Sequence, residues 1–172
     1  MAAGSNLCGD KFSVAVGLPL GVVVVPFVVL VVVSLLLLIL RRHWSFALRC
    51  GLAAMFLVTG ISHFVGMRDE LIAMVPPALP APGLLVAVTG LLELAGAIGL
   101  LWTRTAPWAA AGLGVLLVVM FPANVHAAQR GLSPSFGDQL LPRTLLQVVF
   151  LAAAVAVVAH HRWSGYRAAP TG

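Results

Sequence analysis

Charge is what this sequence has least of. Asp, Glu, Lys and Arg make up 9% of its 172 residues, where soluble domains carry roughly 25%. A water-soluble fold of this size has too much surface for its volume to hide the 61% of residues that are hydrophobic. Mean hydropathy is +1.08, and in lipid the difficulty disappears because the solvent is itself apolar. Cysteine is scarce too. Cys8 and Cys50 fall at opposite ends of the predicted membrane layout, too far apart for a disulfide, and without a CxxC the chain is no self-contained thiol–disulfide enzyme. A Gly-rich nucleotide loop, a Ser/His/Asp set and a HExxH motif are all missing, so no metal site is expected. The net charge of +5 does not signal nucleic acid, because the basic residues are scattered between apolar segments and form no stripe.

What is present is a series of long apolar runs. A helix rising ~1.5 Å per residue needs about 20 apolar residues to cross ~30 Å of hydrocarbon. Residues 14–40, 45–65, 83–102, 107–128 and 144–160 meet that requirement, and the short connections predict antiparallel neighbours. The first run is too long for the core of a signal peptide, and Arg41-Arg42-His43 follows it like a stop-transfer flank, so it is expected to be retained. It is Val-rich, with Ser34 its one polar residue, and reads as a lipid-facing anchor that supplies nothing to a site. With five spans, one side collects Arg41, Arg42, Arg49, Arg104, Arg162 and Arg167 without any acid. The positive-inside rule places that side in the cytoplasm, with the N-terminus out and the C-terminus in. Trp44, Trp102, Trp108 and Trp163 fall at the same edge, where indole rings prefer to lie. The expected organisation is an extracytoplasmic tail (1–12), an N-terminal transmembrane helix (13–40), a four-helix transmembrane domain (45–161) and a cytoplasmic tail (162–172).

Against this background the polar exceptions carry the information. Glu93 lies about 15 Å into the third span, where an acid costs about 2.5–3.5 kcal/mol and should face protein or water with a partner. His63 sits over Thr59 near the outer end of the second span, and Asn124, His126 and Gln147 lie at similar depth on later helices. Asn124 and His126 point about 200° apart; Asn124 is favoured because Pro122 removes a backbone donor beside it. These residues predict a cavity in the outer half of the bundle. His63, Thr59, Glu93, Asn124 and Gln147 are ligand or proton-relay candidates, with Arg68, His126 and Arg143 as secondary ones. Upright spans would leave Glu93 about 9–10 Å below the others, yet it is expected to contact polar groups of at least two other spans. The proline-rich segment from Met74 to Pro82 is expected to cover the cavity as a rigid lid.

GISHF at 60–64, MVPPALPAP at 74–82, TGLLELAGAIGLL at 89–101, FPANV at 121–125 and the R-x-x-x-Q of Arg143 to Gln147 occur in this order. Together they resemble the DoxX-like family of small membrane proteins over residues 45–161. The resemblance implies an all-α, four-helix transmembrane bundle preceded here by one extra helix. Its namesake is the membrane subunit of a quinone-linked thiosulfate oxidoreductase, which suggests a quinone as cofactor and a redox partner protein as the source of electrons. The chain itself offers no cysteine cluster and no pair of axial haem ligands, so whether it is itself an enzyme stays open. The alternative is a small-molecule or lipid transporter, or a membrane-protein assembly factor, using the same cavity without redox chemistry. Gly96, Gly99, Gly112 and Gly114 permit close helix contact within one copy or between copies of an oligomer. The bias of nine Arg to one Lys fits a GC-rich bacterium and a plasma-membrane home.

Overall fold

The computed structural model describes residues 24–130 and 140–167. Expectations for residues 1–23, including the start of the first run, for 131–139 and for 168–172 lie outside them. All regular structure among the described residues is helical: α1 (Val24–Ile39), α2 (Trp44–Ser62), α3 (Arg68–Met74), α4 (Pro82–Leu101), α5 (Ala106–Arg130) and α6 (Leu140–Arg167). Helix is what a membrane demands, because each spanning segment must satisfy its own backbone N–H and C=O groups. Four of these helices, α2, α4, α5 and α6, are long and apolar enough to cross, and α1 is a shorter apolar helix. This is an all-α, multi-span membrane protein.

Side-chain pairings fix the directions. Arg49 meets Leu100, while His63 abuts Gly90, so α2 and α4 run antiparallel. Gln147 reaches Leu117 and Arg143 reaches Asn124, which makes α5 and α6 antiparallel as well. Contacts of α4 with α5 and of α2 with α6 close the four long helices into a bundle. Its apolar core gathers in the half nearer Arg49, around Leu52, Phe56, Ala97, Leu100, Leu113, Phe150 and Ala154.

Three expectations change here. The first helix is no detached anchor. Leu30 is buried in the core cluster, and the Ser34 hydroxyl donates to the Ala47 carbonyl at 3.5 Å. Gly51 makes this approach feasible, since a Cβ there would stand 2.8 Å from the Leu30 carbonyl oxygen. One stripe of α1 therefore packs on α2, and the opposite side, with Val32, Leu35 and Leu36, stays exposed. The cover over the cavity is also a different element. The chain turns at Gly66, in the left-handed region at φ 81°, and forms the short helix α3, which leans on α4 and α5. The prolines that follow are largely exposed and set the start of α4, with Pro82 at its first turn.

The third change concerns depth. A Cβ on Gly90 would lie 2.5 Å from the His63 Cβ, so only glycine lets the end of α2 rest at this level of α4. α2 thus ends about 12 Å short of where α4 begins, from eight residues at ~1.5 Å each. His63 is consequently close to the level of Glu93, with 4.0 Å between Nδ1 and Oε2, and the gap expected between these two from upright, level spans does not exist.

Candidate functional site

Between the helix ends on the His63 side lies a cavity of about 490 Å³, within the usual range for small-molecule sites. Met55, Phe56 and Phe150 form its floor against the apolar core, α3 contributes Leu71 and Met74, and Pro26 of α1 reaches its wall. Four of the chain's five methionines, Met55, Met67, Met74 and Met120, line it. Unbranched thioethers adapt to irregular shapes, so these walls are apolar and deformable. Asp69 and Glu70, both exposed on the first turn of α3, stand at the rim.

Two polar groups face each other across this space. The first is on α2 and α4. Glu93 is 4% exposed, and its Oε2 is sealed from solvent without a hydrogen-bond partner. His63 Nδ1 lies 4.0 Å from that oxygen, too long for a hydrogen bond, and instead sits 2.9 Å from the Thr59 carbonyl. The Thr59 side chain lies beside the Glu93 carboxyl and donates its own proton to the Phe56 carbonyl at 3.3 Å. The second group is on α5 and α6. Arg143 donates through Nη1 to Asn124 Oδ1 at 3.2 Å and makes a 3.9 Å contact with Met74 Sδ, tying α3 to α6.

Thr59, His63, Glu93, Asn124 and Arg143 therefore share one cavity. Among the described residues, the polar side chains placed at Glu93 are His63 and Thr59, both of α2, while Asn124 is held by Arg143 of α6. Gln147 is buried but does not line the cavity; its amide donates to the Leu117 carbonyl at 3.0 Å. Pro122 deprives the adjacent Val118 carbonyl of its helical donor, so Gln147 braces the weakened stretch of α5. His126 is half-buried, Arg68 is exposed, and neither lines the cavity.

The sequence holds no signal that singles out the methionine lining, although its members fall near the same ends of their helices. It also hid Arg49. Counted there as a cytoplasmic charge, Arg49 is buried and donates from Nε to the Leu100 carbonyl (2.9 Å) and from Nη2 to the Leu101 carbonyl (2.8 Å). Nη1 reaches Thr103 Oγ1 at 3.4 Å. It caps the C-terminus of α4, where orphan carbonyls and the helix dipole favour a cation.

No curated protein and no solved structure matches the chain. A family model does: the one described as a domain of unknown function (DUF8561) matches residues 52–163. That stretch runs from the middle of α2 through α6, taking in the whole bundle beyond the first turns of α2 and every polar residue that lines the cavity, and the chain belongs to this family.

Proposed function

We propose that the protein is a membrane subunit that binds a quinone in this cavity and serves quinone-linked redox metabolism, as the resemblance to DoxX-like proteins implies. The observation that carries the reading is the cavity itself: apolar, deformable walls of ring-accommodating size, with hydrogen-bonding groups at two opposed sides. A quinone head has the same plan, a flat apolar ring with polar oxygens at opposite ends. Its electrons would be exchanged with a redox partner protein, and Glu93 with His63 would supply or accept protons. The home is a bacterial plasma membrane, with the His63 end facing away from the cytoplasm and the Arg-rich end inside.

Purification in mild detergent followed by lipid extraction tests this directly. Quinone should co-purify at near one per protein and fall several-fold when Met120→Trp fills the cavity. Quinone at no more than the background of the surrounding membrane would end the reading. The second reading, a transporter or lipid handler, draws on Pro122, which lies inside the continuous helix α5 near the cavity and removes one backbone donor there, a weaker form of the broken helices of carriers. It requires the packed core beneath Phe56 and Phe150 to open. Proton-dependent uptake into vesicles, abolished by Glu93→Gln, would favour it.

A further inference from the structure

We infer that the cavity, with Glu93 ionised, has a defined hydrogen-bond polarity, and that it then takes a small apolar molecule with a hydroxyl donor directed at His63 and Glu93 and an oxygen acceptor directed at Asn124. Within the quinone reading proposed above, on which the choice of probe rests, this selects the hydroquinone over the quinone.

His63 Nδ1 lies 2.9 Å from the Thr59 carbonyl; a carbonyl can only accept, so Nδ1 carries the proton and donates it there. The neutral ring then presents Nε2 as a lone pair. The Thr59 hydroxyl donates to the Phe56 carbonyl at 3.3 Å, and the Ser62 hydroxyl donates to the Thr59 carbonyl at 2.6 Å. Both hydroxyl protons are committed to backbone, and what each oxygen has left is acceptor capacity. Glu93 as a carboxylate only accepts, whereas as the neutral acid it also donates, and its buried Oε2 has no partner. With Glu93 ionised, the wall formed by α2 and α4 is thus a wall of acceptors.

The facing wall has the opposite sense. A guanidinium only donates, so the 3.2 Å bond from Arg143 fixes Asn124 with Oδ1 toward it. The Asn124 amide N–H groups are then its remaining hydrogen-bonding capacity.

A quinone carries carbonyl acceptors at both ends. It would satisfy Asn124 and leave its other oxygen among acceptors, with the penalty of unpaired buried polar groups. A hydroquinone donates a proton at one end and accepts at the other, matching both walls. The expected preference for the hydroquinone is about tenfold or more.

The test is anaerobic equilibrium binding to the intact protein in lipid nanodiscs, with tetramethylbenzoquinone, its hydroquinone and the dimethyl ether of that hydroquinone. With Glu93 ionised, at alkaline pH, the hydroquinone should bind about tenfold or more tightly than the other two, and the ratio should narrow in acid as Glu93 takes up a proton and can itself donate. The ether has no donor and should do no better than the quinone. Glu93→Gln preserves shape and adds an N–H donor to the acceptor wall, so the quinone should gain on the hydroquinone and the ratio should narrow. Equal binding of quinone and hydroquinone, or a tighter quinone, overturns the polarity while leaving a quinone site standing. Failure of all three to bind overturns the quinone reading and the polarity with it.

Discussion

Arg49 and Glu93 are both ionisable, both more than nine-tenths buried, and both on the interface between α2 and α4, yet they are treated in opposite ways. Arg49 donates from all three guanidinium nitrogens to the end of α4 and its turn. Glu93 has an oxygen with no partner at all. Around Arg49 the bundle is filled by apolar side chains; around Glu93 it holds a cavity walled by methionines. One end of the molecule uses its buried charge to hold itself together, and the other leaves the buried Glu93 Oε2 unsatisfied beside a cavity, where on the reading proposed above a ligand would meet it. Removing a polar group should therefore cost stability at the Arg49 end and binding at the His63 end.

The largest effect is expected at Arg49. Arg49→Leu strips three acceptors at the α4 terminus of their donor and should lower stability by roughly 3 kcal/mol. Arg49→Lys should recover about half, since one ammonium cannot reach what the planar fork reaches. Unfolding in mixed micelles measures both, and a Leu variant as stable as the parent would remove the contrast between the two ends.

Next is the close approach that sets the depth of His63. Gly90→Ala puts a methyl group against His63 Cβ and should cost about 1–3 kcal/mol, together with weaker ligand binding because His63 moves. Gly112 has open space around its Cβ position, so Gly112→Ala should be neutral in both assays. Similar losses for the two would mean that the glycines act through something other than this contact.

Glu93→Leu should change stability by less than about 1 kcal/mol, in either direction, because a buried acid without a full set of partners contributes little to holding helices together. Ligand binding should fall by about tenfold or more. A loss of stability comparable to that of Arg49→Leu would make Glu93 a structural residue and end the distinction.

What the sequence revealed of this arrangement, and what it hid, follows from dimension. Span positions depend on the apolar content of a run, a one-dimensional property, and residues 83–102 were read within one residue of α4. Glu93, His63, Thr59 and Asn124 stood out because polar groups are rare in these helices. Three-dimensional offsets were not legible. The outer ends of the spans were assumed to be level, which put Glu93 about 9–10 Å below His63, whereas α2 stops at the level of Gly90. Arg49 was counted among the cytoplasmic charges because a position five residues into α2 does not say which way a side chain points. For α1, the pairing of Ser34 with the small residue Gly51 was the available signal, and its Val-rich monotony masked it.

The smallest effect compares two amides at the same end of the bundle. Asn124 accepts from Arg143 across the cavity wall, and Gln147 donates to the Leu117 carbonyl beside the proline break, away from the cavity. Interhelical hydrogen bonds in membranes average about 0.6 kcal/mol, so Asn124→Leu and Gln147→Leu should cost similar, small amounts of stability. They should separate on binding. Asn124→Leu removes the amide donors that face the ligand and should weaken hydroquinone binding about tenfold, whereas Gln147→Leu should leave it within about twofold. Because the stability costs match, any difference in binding reports on position and not on loosening of α5. If Gln147→Leu weakened binding as much as Asn124→Leu, the Leu117 contact would be only a resting arrangement. Gln147 would then turn into the cavity when the ligand arrives, and the acceptor wall would face two amides instead of one.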